Sequence, residues 1–351
     1  MTDIQITCYS TKMKKRFTPI ISFIAFAYFT VTFSGCAFGL QPLPDTVQQQ
    51  LNDAADQGMD GIIVCVNRPD GIQLYTAGWK NRENQIPADP YTLFKIASIS
   101  KLYIAAATTR LVADEKLSLD KTLAEYIPEV TDRIEFADQI TLKMMLQHRS
   151  GILDYSSKPE ATGETFDDYL SFAARVYDKP AAFEPNKKYR YSNTNYLLIG
   201  AILNRTLGHS HHTYIRDELL IPLGLSDTYN TQAEVNMEEL MSGYLIGWEA
   251  DVKDWEYPLP GGSMIATAED VSVFLRALID GTLLSPEEQA IYTSVYPYEH
   301  TGWLPGYTSI ARYHPDIDAV VVQFVNTSGK EIYWLELKRL YKRIVRILEK
   351  H

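Results

Sequence analysis

The sequence predicts an α/β fold of the α+β kind: one antiparallel sheet, flanked by helices from the two ends of the chain and interrupted by a mostly helical insertion. Three observations predict it. Paired β-prone runs lie near both ends, Ile62 to Asn67 with Ile72 to Gly78 early and Tyr307 to Tyr313 with Ala319 to Asn326 late, each pair split by a turn cluster. Helix-permissive segments with apolar spacing lie outside both pairs. Between about residues 105 and 290 the pattern is helical, punctuated by caps and glycine turns. A chain of 351 residues with 46% hydrophobic content can bury a substantial core.

The N-terminal segment reads as targeting rather than fold. Lys14-Lys15-Arg16 supply a positive region, and Phe17 to Thr32 is an almost uncharged apolar run, short for a membrane-spanning helix; Met13 is an alternative start. The run ends at Phe33-Ser34-Gly35-Cys36, small residues before a cysteine. This resembles a bacterial lipoprotein cleavage box, with Phe33 where leucine is usual. Residues 1–35 are therefore expected to be a lipoprotein-type signal with Cys36 as the lipidation site, a plain signal anchor being the alternative. Either one places the protein outside the cytoplasm, in a bacterial cell envelope, in the periplasm or anchored to a membrane. Of the three cysteines, Cys8 precedes the signal and Cys36 would carry lipid, which leaves Cys65 with no partner for an intramolecular disulfide. Cys65 sits in the continuous apolar run Gly61 to Val66, a buried strand, and reads as an inert core thiol.

Residues 36–54 form a linker and the start of a helix, and 55–351 the main domain. Within Pro42 to Asp60, Val47, Leu51 and Ala55 share one side and should pack on the sheet. Arg68-Pro69-Asp70-Gly71 turns the first hairpin. A polar loop from Asn81 to Pro90 then leads to Phe94, Ile96 and an alanine-rich buried helix running to about Thr109. Thr141 reads as the N-cap of a short helix with Leu142, Met145 and Leu146 inward. Further helices are expected over Phe166 to Val176, Asn193 to Leu207 and Tyr214 to Leu220, the last ending at Pro222-Leu223-Gly224-Leu225. Thr267 caps another, Ala268 to Asp280. After the late strands, split by His314-Pro315-Asp316, the segment Glu331 to Lys350 should cover the sheet with Ile332, Leu335, Leu340, Ile344 and Ile347. A cleft between the sheet and the insertion is the expected site.

Several function classes are disfavoured. The net charge of -11 carries no offsetting basic patch, which argues against a nucleic-acid partner. His209, His211 and His212 form a cluster that a metal could use, but no carboxylate or cysteine stands at a matching spacing and the segment reads as a loop. No metal and no organic cofactor is expected. There is no internal repeat and no low-complexity tract.

Within Phe94 to Leu102 stands an S-x-x-K pair, Ser98 and Lys101. Three apart on a helix, they share a face, so the amine can reach the hydroxyl, a nucleophile beside a base. Alone, the pair is a weak signal and reads first as a helix start capped by serine. Two further groups follow in order, Tyr191-Ser192-Asn193 and His300-Thr301-Gly302. Together the three resemble the motifs of the serine penicillin-recognising family, which includes D-alanyl-D-alanine carboxypeptidases, class C β-lactamases and related esterases and D-amino-acid peptidases. The resemblance runs through Leu146 to Ile152 and Pro260 to Met264 and covers about residues 55 to 350. Tyr-Ser-Asn and His-Thr-Gly are closest to secreted D-alanyl-D-alanine carboxypeptidases, because β-lactamases usually carry Lys-Thr-Gly. It implies a β-lactamase/DD-peptidase-like fold.

An unactivated serine is a poor nucleophile and needs a group to take its proton. Lys101 is the nearest, and Tyr191 is the alternative; free amine and phenol both titrate near ~10, so the sequence leaves the acylation base open. The assignment made is Lys101 to activating Ser98 and Tyr191 to protonating the leaving group. The Ser98 backbone N–H, at a helix start, suits an oxyanion. By resemblance the second oxyanion donor is the backbone N–H of Trp303, Asn193 bonds the substrate amide, and Thr301 contacts a substrate carboxylate within the substrate-binding strand His300-Thr301-Gly302. His300, in place of lysine, should attract that carboxylate weakly and in a pH-dependent way, near ~6.5. His148 and Arg149 read as structural. The expected activity is that of a serine hydrolase, D-alanyl-D-alanine carboxypeptidase-like on peptidoglycan-type peptides. An esterase, a D-amino-acid peptidase and a weak β-lactamase are the alternatives within the family, and a catalytically silent cell-wall binding protein the one outside it. The partners are small peptide, ester or β-lactam substrates and, through the N-terminus, a membrane; a monomer is expected.

Overall fold

A six-stranded antiparallel sheet joins the two ends of the chain. Its strands are β1 (Gly61–Arg68), β2 (Gly71–Asn81), the short β3 (Ile86–Pro87), β8 (Glu299–Leu304), β9 (Tyr307–His314) and β10 (Ala319–Val325), in the order β3-β2-β1-β10-β9-β8. The computed structural model describes residues 42–155, 169–329 and 331–350. The expected signal, Cys8 and Cys36 lie outside the described residues, as does the start of the helix expected from Phe166.

The hairpin forms at the Pro69-Asp70 turn, where Arg68 pairs with Gly71. The early strand β1 then pairs with the late strand β10, Ile62 opposite Val325 and Cys65 opposite Val322. Both strands are mostly apolar and buried, with Asn67, Arg68 and Gln323 as the polar exceptions, because the sheet is covered on both faces. Ile63, Cys65, Val320, Val322 and Phe324 point into the main core. From the opposite face of β10, Gln323 donates to the Leu337 carbonyl and the Val321 carbonyl accepts from Tyr341, both on α10 (Glu331–Leu348). Each buried Val or Ile here contributes about 1.5–3 kcal/mol. Burial pushes the Cys65 thiol up to about 12, so it is a core thiol.

The terminal helices share that outer face. Helix α1 (Val47–Asp56) starts at a capping box of Thr46 and Gln49 and buries Val47, Leu51 and Ala54, so Ala54 faces inward where Ala55 was expected. It is tied to α10 through Arg343 and Gln50, 2.5 Å apart. In α10 the buried stripe is Tyr333, Leu337, Leu340, Tyr341, Ile344 and Ile347. Ile332 and Leu335 were expected to cover the sheet, yet they are 70% and 53% exposed. The helical period that buries Leu340 and Ile344 places Tyr333 and Leu337 inward and turns these two out.

Between β2 and β8 the chain is mostly helical. Helix α2 (Ser100–Ala113) is buried almost all round and stacks Tyr103 on Phe274 of α8 (Ala268–Asp280), ring centroids 3.7 Å apart. Thr141 caps Leu142–Leu146 and Thr267 caps α8, as their positions before apolar spacing implied. A helix over Pro286–Val295 was not singled out, although Ser285-Pro286-Glu287-Glu288 carries its signal. Ser285 and Glu288 form a capping box with proline at the first turn. The histidine segment is not a loop: Ser210 caps a short helix from His211, whose buried Nδ1 lies 2.8 Å from Asn204 Oδ1. Leu43–His351 form one unit.

Candidate active site

The site is built where a two-residue strand, β4 (Phe94–Lys95), runs into α2. β4 pairs with β7 (Ile265–Ala266), and its Phe94 ring stacks on Phe324 at 4.4 Å, so the start of α2 is pinned to the sheet. The turn between them, Ala97–Ile99, is a single 3-10 turn in which Ala97 has φ +52°. A non-glycine residue there is strained, and the strain sits one residue before Ser98. Two serines hold it: Ser100 Oγ donates to the Ala97 carbonyl at 2.6 Å and Ser309 Oγ to the Ile96 carbonyl at 2.9 Å. Neither Ser100 nor Ser309 was picked out from the sequence, where a serine that fastens a turn looks like any other.

Lys101 is buried beneath Ser98. Its Nζ lies 3.1 Å from Ser98 Oγ, 3.0 Å from Asn193 Oδ1 and 2.6 Å from the Gly261 carbonyl. Burial lowers its pKa to about 7 against the opposing pull of the Asp154 carboxylate. Tyr191 donates its hydroxyl to Ser98 Oγ at 2.8 Å, and burial raises its pKa. The two groups that the sequence left equivalent as bases are thus moved apart by one cause, because burial disfavours a charged amine and a charged phenolate alike. At neutral pH the amine loses its proton more readily than the phenol.

The Lys101 partners define which way its lone pair faces. The Gly261 carbonyl and Asn193 Oδ1 only accept, so a neutral amine gives its two hydrogens to them and presents the lone pair to Ser98 Oγ. Gly261 has φ +76°, and a Cβ there would come within 2.9 Å of the Lys101 side chain. Asn193 precedes the helix Thr194–Leu207 without capping it through its side chain. Its backbone N and Nδ2 instead face the two oxygens of Asp154, each at 3.3 Å. Asp154, missed from the sequence, lies 39 positions away, and no local signal marks it.

Strand β8 closes the other wall. At Gly302 it passes so close to the nucleophile turn that a Cβ would sit 2.5 Å from the Ile96 carbonyl oxygen, so only glycine permits the approach. This brings Thr301, exposed, and Trp303, half-exposed, alongside the Ser98 turn. His300 packs its ring parallel to Tyr296, centroids 6.0 Å apart, and 6.2 Å from Tyr191. Its Nδ1 is 2.5 Å from the Thr301 carbonyl, which can only accept, so the hydrogen is on Nδ1 and Nε2 carries a lone pair. Burial against the cleft wall, then the Lys101 charge, lowers its pKa to about 3. This lowering runs against the expected attraction of His300 for a carboxylate near pH 6.5, which would need a protonated ring there.

His148 and Arg149, read as structural, both line the cleft. His148 is buried, has φ +54°, packs its ring 4.3 Å from Tyr191 and accepts at Nδ1 from the Ser192 N–H at 3.2 Å. It holds the stretch that carries Tyr191 and Asn193. Among the described residues no group of three His, Cys, Asp or Glu is disposed to hold a metal.

The family model described as Beta-lactamase matches residues 44–296. The chain is 25% identical over 213 residues to Penicillin-binding protein 4* of Bacillus subtilis, covering 57% of this chain and 44% of that protein. It is 24% identical over 204 residues to Protein flp of Staphylococcus aureus, covering 57% and 41%. It thus spans less than half the length of those relatives. The fold is similar to a D-amino acid amidase from Ochrobactrum anthropi (TM-score 0.79, 23% identity, 88% of this chain and 99% of that one). It is also similar to a Beta-Lactamase/D-Alanine Carboxypeptidase from Pseudomonas syringae (TM-score 0.71, 17% identity, 86% and 97%). With the match of the family model over most of the chain, the chain belongs to the Beta-lactamase family.

Proposed function

We propose that the chain is a serine hydrolase that forms an acyl-enzyme on Ser98, D-alanyl-D-alanine carboxypeptidase-like on peptidoglycan-type peptides. The observation that carries this is the buried Lys101 amine, with two fixed acceptors and its third direction on Ser98 Oγ. Ser98 Oγ attacks the carbonyl carbon of the substrate as its proton passes to Lys101 Nζ. The carbonyl oxygen becomes an oxyanion, to which we assign the Ser98 and Trp303 N–H groups. Tyr191 gives its proton to the leaving group as the C–N or C–O bond breaks, and is reprotonated from Lys101. Water then attacks the ester by the same steps in reverse. Asn193 and Thr301 are assigned to the substrate amide and its far end. A D-amino-acid amidase or esterase reading draws support from the neutral His300, which demands no charged substrate.

A fluorophosphonate or fluorescent penicillin should label Ser98, mapped by mass spectrometry; an unlabelled Ser98 overturns the proposal. The pH profile follows from Lys101. The base must be unprotonated, so kcat/KM for a neutral ester should rise with pH and level off above about 7. A carboxylate substrate should share that limb, with no fall near pH 6.5, since His300 does not titrate there. A fall for the carboxylate substrate alone would restore a charged His300.

For targeting we propose a lipid anchor at Cys36, on the strength of Lys14-Lys15-Arg16, the apolar run and Ser34-Gly35-Cys36. A Cys36→Ser variant should lose lipid. Unmodified Cys36 within a retained leader, seen by mass spectrometry, would remove this.

A further inference from the structure

Beyond Tyr191 the cleft opens into a cavity of about 430 Å³, walled by His148, Arg149, Tyr189, Tyr296, His300 and Thr301. It adjoins Tyr191, the residue assigned above to protonating the leaving group, and Thr301 on β8. Three charged side chains face it: Arg149, Glu299 and Arg312. Glu299 and Arg312 stand opposite each other on β8 and β9 and form an ion pair, so their charges cancel locally. Arg149 is different. Its Nε donates to Asn186 Oδ1 at 2.7 Å and its Nη2 to the Asn186 carbonyl at 2.6 Å, and both acceptors are neutral. The Asn186 N–H returns to the Arg149 carbonyl at 2.8 Å, so the guanidinium is held in place. Among the described residues no carboxylate stands within ion-pair distance of its charge.

The other groups on this wall offer an anion no unpaired positive charge: Thr301 and Tyr189 bring only neutral hydroxyls, and burial lowers the pKa of both histidines. His300 directs a lone pair rather than a hydrogen outward from Nε2, and His148, whose Nδ1 accepts from the Ser192 N–H, carries its hydrogen on a buried Nε2. A held, half-buried guanidinium with unused N–H groups is suited to a carboxylate, which it can bind through two parallel hydrogen bonds. We infer that Arg149 receives an anionic group on the leaving-group side of the substrate, the terminal carboxylate of the amino acid that is released. This rests on the acyl-enzyme reading and narrows it toward carboxypeptidase rather than amidase specificity.

The test compares N-acyl-D-alanyl-D-alanine with its C-terminal amide, which has the same leaving group without the charge. Wild type should favour the carboxylate. In Arg149→Gln the ratio of the two kcat/KM values should drop about tenfold or more, mainly through KM, and Arg149→Lys should keep part of it. Added salt should lower the ratio in wild type, a readout that needs no variant. An equal ratio in wild type and Arg149→Gln, a salt-independent ratio, or a loss produced by Arg312→Gln instead would overturn the inference. Fluorophosphonate labelling separates the two levels. Labelled Ser98 with no carboxylate preference sinks the Arg149 assignment alone, whereas an unlabelled wild-type Ser98 sinks the acyl-enzyme reading itself.

Discussion

Replacing Ser98 by alanine is expected to abolish hydrolysis of ester and D-alanyl-D-alanine substrates, by at least about ten-thousand-fold in kcat, and to abolish covalent labelling. The loss should be this large because no other hydroxyl takes its place. The Lys101 lone pair and the Tyr191 hydroxyl both converge on Ser98 Oγ, at 3.1 and 2.8 Å. The fold should survive, since Ser100 and Ser309, rather than Ser98, fasten the strained turn at Ala97. An unchanged melting temperature with no turnover is the expected pair of results. Wild-type turnover in the purified variant would remove Ser98 as the nucleophile.

Lys101→Met is expected to lower kcat for the same substrates by roughly a hundred- to ten-thousand-fold, the range for loss of a positioned proton acceptor. It should also destabilise the protein. Lys101 Nζ is the partner of the Gly261 carbonyl and lies 3.0 Å from Asn193 Oδ1, and each buried acceptor left unpaired costs about 1–3 kcal/mol. The two effects are separable by measuring turnover well below the melting temperature of the variant. What turnover remains should have lost the rise toward pH 7. If the variant kept that rise with near-normal kcat, the acylation base would be Tyr191.

Most of the architecture was legible in order of sequence. The hairpin at Pro69-Asp70, the buried strand around Cys65, the Thr141 and Thr267 caps and the late strands are signalled by residues within a turn or two of one another. Where legibility failed, the cause was local ambiguity. Ile332 and Leu335 fit a helical spacing as well as Tyr333 and Leu337 do, and only the sheet beneath decides which stripe is buried. The Ser285 and Glu288 capping box, by contrast, is itself a local signal.

The sequence by itself determined the α+β class, because a sheet run and a helix cap are short-range patterns, and it named Ser98 as candidate nucleophile through three short motifs in order, with Lys101 and Tyr191 left as alternative bases. Only the tertiary structure decided how those groups are charged and what they face. Lys101 meets Asn193 across 92 positions and Gly261 across 160, and its burial there is what lowers its pKa. Packing at the cleft wall likewise lowers the pKa of His300, while Asn186 holds Arg149 at a cavity wall 37 positions from itself. Burial and the fixed direction of a hydrogen bond are properties of the folded surroundings, so no spacing within the chain could have stated them.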